Sequence, residues 1–242
     1  MCLGHLKVPC PEGLPNGGSV PRILPVEESS RSHIQAAYTD IDGTVTAYNT
    51  IFEFLRFDAA EHARAEEAGE FLAGLRTAAE NGVPRSVTNA RYFRWWRGRS
   101  VTEVAELGER WADLQDGRAA DWAFLEPVVS ILDAHADSGR RLVAVTASFE
   151  PALVRVRRRW PHLELLCTRP LVAGGKYTGG IEEALVGDAK ARAVLAHALA
   201  NNVDLAGSFA YGDHHSDLQF MALAGESLLV AAKLRVSATP VS

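Results

Sequence analysis

Two aspartates one residue apart, Asp40 and Asp42, stand in Tyr38-Thr39-Asp40-Ile41-Asp42-Gly43-Thr44-Val45-Thr46, directly after a short apolar run. On a chain leaving a strand, side chains at i and i+2 can approach one ligand from two sides. Paired carboxylates of this kind suit metal binding and proton transfer. The bland alternative is an Asx turn closed by Gly43. It weakens because other apolar runs end on equally reactive residues. Thr146 closes Leu142-Val143-Ala144-Val145, with Ala147 and Ser148 next. Tyr211-Gly212-Asp213-His214-His215-Ser216-Asp217 brings two more carboxylates, Asp213 and Asp217. Lys190, in Gly187-Asp188-Ala189-Lys190, falls in the first turn of a helical pattern, where backbone N–H groups and the helix dipole favour an anion.

The elements that must position these residues are short apolar runs alternating with helical patterns, which predicts a parallel sheet flanked by helices. The runs are 34–39, 142–146, 163–168, 208–211 and 227–232. Open sheets of this class bind ligands beyond the carboxyl ends of their strands, where Asp40, Thr146 and Asp213 all fall. Between the first two runs the pattern is helical. One helix is expected over 61–80, ending at Asn81-Gly82 with Pro84 beyond, and another from Ser100 to about Leu114, opened by a Ser-Val-Thr-Glu capping box. The expected organisation is therefore an extension over 1–33, a core from 34–46 and 129–242, and a helical cap over 47–128. The extension is rich in Pro and Gly and is expected to be flexible.

Taken together and in this order, the four pieces resemble the haloacid dehalogenase superfamily, and within it the subfamily that includes phosphoserine phosphatase. The resemblance covers roughly residues 34–235 and includes the hairpin Lys176-Tyr177-Thr178-Gly179. It implies a Rossmann-like α/β core with a helical cap inserted after the first strand. It also implies a phosphatase of small phosphate monoesters, with Asp40 the nucleophile and Asp42 the general acid and base. Thr146 and Lys190 would bind the phosphoryl group, alongside Gly43, Thr44, Ala147 and Ser148. Mg²⁺ would be held by Asp40, Asp42, Asp213 and Asp217. Asn49 stands where phosphoserine enzymes carry a glutamate for the substrate ammonium, which points instead to a sugar, cyclitol, polyol or amino-alcohol phosphate. Arg91, followed by Arg94, is the expected second anionic contact.

Charge agrees with this expectation. The four aspartates and a phosphate dianion together overwhelm Lys190, so a divalent cation is needed, and the residual negative charge should raise the pKa of one carboxylate. Asp42 is the natural holder of that proton.

Other features have plainer readings. The cation–aromatic run 91–99 could stack nucleic acid, but its helical spacing and the net charge of −5 favour internal packing. The arginines of 155–159 read as a solvated helix face. His214-His215 beside Asp213 suggests zinc, but adjacent residues seldom ligate one ion and the surrounding oxygens favour magnesium. Ser148 reads as a helix N-cap. Three scattered cysteines, with no apolar run of about 20 residues, fit a reducing cytoplasm, with no membrane partner and a monomer or homodimer. The competing readings are a phosphotransferase on the same fold and a non-catalytic phospho-acceptor domain.

Overall fold

The computed structural model describes residues 34–118 and 123–230; the expected extension over 1–33 lies outside these. In chain order the elements are β1 (Ala36–Thr39), α1 (Thr50–Glu61), α2 (Ala65–Glu80), α3 (Arg85–Tyr92), α4 (Val101–Asp116), α5 (Glu126–Asp137), β2 (Arg141–Thr146), α6 (Val154–Arg159), β3 (Glu164–Cys167), β4 (Pro170–Ala173), β5 (Lys176–Ile181), α7 (Asp188–Asn201), β6 (Phe209–Gly212), α8 (Leu218–Met221) and β7 (Glu226–Leu229). Five strands form one sheet in the order β3-β2-β1-β6-β7, every neighbouring pair parallel. β4 and β5 make a separate antiparallel hairpin. Among the described residues no helix is long and apolar enough to cross a membrane.

The central strands are covered on both faces, which explains their continuous apolar runs. Ala37, Leu142 and Ala144 pack on one side with Val128, Leu132 and Val156, while Tyr38, Val143 and Val145 pack on the other with Val194 and Phe220. A third core lies in the helices after β1, where Phe54 stacks on Trp96 at 5.1 Å and both meet Phe149. The run 91–99 supplies much of it: Tyr92, Phe93, Trp95 and Trp96 are all buried.

The helix expected over 61–80 is α2, which ends at Glu80 as expected but begins later, at Ala65. α1 ends at Glu61, and Ala63 takes a positive φ of 54° before α2 begins at Ala65. Apolar periodicity continues across that corner, so nothing in the pattern marks the break. At Ser100 the hydroxyl accepts from the Glu103 N–H at 3.4 Å, so the cap is present, and α4 runs on to Asp116.

In Arg155–Arg159 the residues Arg157, Arg158 and Arg159 are exposed, as expected of a solvated face, and Arg155 is the departure. Arg155 is buried and pairs with Asp116, Arg158 reaches Glu109, Asp113 and Asp116, and Arg159 pairs with Asp133. Arg159 thus binds α5, while Arg155 and Arg158 join α6 to α4. The same two regions touch at Gly108, where an added Cβ would lie 2.4 Å from the Pro151 carbonyl oxygen.

Asp58, fully buried on α1, accepts from the Trp95 indole at 2.8 Å and from Arg99 at 2.7 Å. Removing one member of such a buried set strands the others. Asp58→Ala is expected to lose about 3 kcal/mol of stability by urea denaturation. A loss below about 1 kcal/mol would mean water takes over the vacated bonds.

Candidate active site

β1 delivers Asp40 to the carboxyl edge of the sheet, where its N–H donates to the Tyr211 carbonyl on β6 at 2.9 Å. The chain then folds into a tight loop. Gly43, at φ 88°, donates its N–H to the Thr46 carbonyl at 2.7 Å, and Thr44 directs its hydroxyl at Asp40 Oδ2, 3.3 Å away. Lys190, on the first turn of α7, places Nζ 2.6 Å from Asp40 Oδ1 and 2.7 Å from Asp217 Oδ1. All three side chains are buried. Asp217 Oδ2 accepts from the His214 N–H, which closes the loop after β6 into a capping box.

Carboxylate oxygens of Asp40, Asp213 and Asp217 lie within 4.8 Å of one another. The group contains neither His214 nor His215 and so offers only hard oxygen donors, the set a magnesium-like ion uses. The Asp42 carboxylate, expected among the metal ligands, is outside it. Its Oδ1 instead accepts from the Thr50 N–H at 2.8 Å, because the loop's turn at Gly43 aims it at the start of α1.

The electrostatics follow from one buried cation among several carboxylates. Burial pushes Asp40 above the ordinary carboxylate range; Lys190 pulls it back and Asp217 adds to the rise. Burial also works against the Lys190 charge, but Asp40 and Asp217 outweigh it and hold the ammonium above its ordinary value. Burial, then the neighbouring Asp40 charge, pushes Asp42 up to about 7, against the bonds from Thr50.

Thr146 ends β2 beside these groups, and its Oγ1 accepts from the Ser148 N–H at 3.1 Å. Ser148 does not cap the following turn. Its hydroxyl accepts from Thr50 Oγ1 at 2.8 Å, and Phe149 occupies the cap position without a side-chain bond. Ala147 lines a cavity and its carbonyl accepts from Asn89 Nδ2 at 3.0 Å.

Asn49 lines the same cavity, but its Oδ1 is committed to the Phe52 N–H at 3.1 Å, capping α1. Its amide N–H₂ is left for a ligand. The expected cations Arg91 and Arg94 are not in the lining; Arg56, Arg76 and Arg85 are. On α3 the face toward the cavity holds Arg85, Thr88, Asn89 and Tyr92, at helical spacing, and Arg91 lies on another face. Sequence reasoning also missed Thr50 and Asn89, which tie the loops together. Their one signal is position, Thr50 directly after a good N-cap residue.

A family model described as haloacid dehalogenase-like hydrolase matches residues 37–222. A Mycobacterium tuberculosis protein named phosphoserine phosphatase SerB1 is 26% identical over 207 residues, which is 83% of this chain and 66% of that protein. The chain therefore spans just under two thirds of that relative. Among solved structures, a Bordetella pertussis protein of unknown function superposes with a TM-score of 0.70 at 18% identity, covering 81% of this chain and 90% of that one. A substrate-bound phosphoserine phosphatase superposes with a TM-score of 0.57 at 18% identity, covering 82% and 85%. The phospho-aspartyl intermediate analogue of a phosphoserine phosphatase gives 0.56 at 17% identity, covering 84% and 90%. At these identities the structural likeness is one of fold.

Proposed function

The chain belongs to the haloacid dehalogenase-like hydrolases, and from that premise we propose that it is a phosphatase hydrolysing small-molecule phosphate monoesters through an aspartyl-phosphate on Asp40. The observation that carries the reading is the convergence of Asp40, Asp213 and Asp217 within 4.8 Å beside the buried Lys190. Such a cluster is uncompensated by its own lysine and fits a hard divalent cation, Mg²⁺ by preference. When bound, that ion would draw charge from the non-bridging phosphoryl oxygens.

Asp40 is the nucleophile: its buried carboxylate attacks phosphorus, the bond to the leaving oxygen breaks, and Lys190 and the Thr146 region hold the phosphoryl oxygens. Asp42 donates its proton to the departing alkoxide. Once ionised, it takes a proton from the water that attacks the aspartyl-phosphate, returning Asp40 and inorganic phosphate. Residues 34–46 and 129–242 act as the catalytic core and 47–128 as a cap that excludes water.

Two measurements test this. Inorganic phosphate release from a panel of monoesters should require Mg²⁺, vanish in excess EDTA and return on adding the ion; full activity in EDTA would sink the metal assignment. The second is the pH profile. Asp42 must be protonated for the first step, and its pKa is pushed up to about 7, so kcat/KM should fall as pH rises through that region. Asp42→Asn should remove that limb; an unchanged alkaline limb in the variant would reassign the acid.

Phosphoserine is disfavoured on this reading. Asn49 spends its carbonyl oxygen on the α1 cap and offers no carboxylate to an ammonium group.

A further inference from the structure

The cavity beside Asp42 has a volume of about 280 Å³ and is bounded by α1, α2, α3 and the Ala147 loop. Its walls mix polar groups, Asn49, Thr88 and Asn89 with three arginines, and a broad apolar stretch. Ile51, Phe52, Leu72, Leu75 and Tyr92 supply apolar surface, with Phe52 tilted against the Tyr92 ring at 6.2 Å. The Tyr92 hydroxyl already donates to the Ile51 carbonyl at 2.8 Å, so the ring is presented without a free donor. A sugar or cyclitol would find donors at the Asn49 amide and the arginines, but each hydroxyl set against Phe52, Leu72 or Leu75 would lose its hydrogen bonds to water and find no replacement there.

The charge of the lining is one-sided beyond the neck. Asp42 is its one carboxylate, and the cations are Arg56, Arg76 and Arg85. Arg85 is engaged: its Nη1 lies 2.8 Å from His214 Nδ1 and 3.1 Å from Ser216 Oγ, on the loop after β6. Arg56 pairs with the exposed Glu53. Arg76 has no ion pair among the described residues. A leaving group carrying an ammonium would enter a cavity lined by three guanidinium groups, and one carrying an anion would meet them favourably.

We propose that this cavity selects an alcohol with an apolar body, aromatic or branched alkyl, that ends in an anionic group facing Arg76 and Arg56. The proposal rests on the phosphatase reading for its use in turnover, but the pocket's chemistry is separable from it. It narrows the alcohols away from the sugars, cyclitols, polyols and amino alcohols anticipated from sequence.

The test compares four esters of alcohols of comparable basicity: benzyl phosphate, 4-carboxybenzyl phosphate, glycerol 1-phosphate and phosphoethanolamine. Benzyl phosphate should exceed glycerol 1-phosphate by at least tenfold in kcat/KM, mostly through KM, and the carboxybenzyl ester should gain several-fold more. Leu75→Gln should erase the first gain, and Arg76→Glu the second while keeping the first. Glycerol 1-phosphate or phosphoethanolamine as the best substrate overturns the proposal; a benzyl preference that the carboxylate does not extend overturns its arginine half. Calorimetry on the wild-type protein with benzylphosphonate and 2-hydroxyethylphosphonate separates the two readings. Tighter benzyl binding with no phosphate released from any ester keeps the pocket and rejects the phosphatase. Equal binding rejects the pocket, whichever esters turn over.

Discussion

Asp40→Asn should lower phosphate release by at least about 10⁴-fold, the scale on which removing a covalent nucleophile acts, while leaving the fold as stable as before or more so. The second half of that result follows from charge. Burial holds the folded-state pKa of Asp40 above its ordinary value, with Lys190 only partly offsetting. A group shifted upward favours folding while it is protonated, and that contribution is lost as pH rises through the folded pKa. At neutral pH the wild-type carboxylate is therefore a net burden, and the neutral amide removes it while Lys190 keeps Asp217. Thermal melts in EDTA at pH 5 and pH 8 check the sign. The variant's advantage should be larger at pH 8. Turnover within tenfold of wild type, or a lower melting temperature at pH 8, would remove Asp40 from the role of strained nucleophile.

Lys190→Met is the opposite experiment. It preserves volume but leaves Asp40 and Asp217 sharing a buried space without the cation that now lies 2.6 and 2.7 Å from them. Loss of one member of a buried ionic set costs about 3–5 kcal/mol, and loss of one preorganised charge at a developing oxyanion about 3–4 kcal/mol in the barrier. The apo variant should therefore melt well below wild type, and with Mg²⁺ the variant should turn over at about 10⁻² to 10⁻³ of the wild-type rate. Adding Mg²⁺ should recover more stability in the variant than in wild type, since the ion then supplies the only counter-charge at the carboxylates. If the variant melts with wild type in EDTA, the lysine does not hold this cluster together.

The carboxylate cluster was legible because each of its members ends a strand or opens a helix, and the rule that ligands meet parallel strands at their carboxyl ends needs no tertiary information. Asp40 and Lys190 could thus be grouped across 150 positions. The cavity was not legible in the same way. Arg91 and Arg85 are equally plausible in composition, and only the rotation of α3 decides which of them faces inward. Asn49, expected as a ligand contact, lines the cavity and also caps α1, a second duty that follows from its place directly before a helix. Of the arginines in 155–159 only Arg155 leaves the expected solvated face, because helical periodicity records which residues share a face and says nothing about the partner that covers it. Fold class suffered least: an apolar run in a parallel sheet announces itself, whereas a corner such as Ala63 depends on a single residue accepting positive φ.

The close approach of Gly108 to Pro151, reinforced by Arg158 across three carboxylates of α4, means the helical layer is welded to the sheet domain along one margin. At the opposite margin α3 reaches the loop after β6 through the exposed Arg85 side chain. α1 and α3 are bonded to the core as well, through Thr50 to Asp42 and through Asn89 to the Ala147 carbonyl. α2 carries Leu72, Leu75 and Arg76 of the cavity wall, whereas Asp40 and Lys190 stand on β1's exit and α7. Rewriting α2 for another alcohol is therefore like changing a lock barrel with the bolt left in place: the chemistry at the strand ends stays as it is.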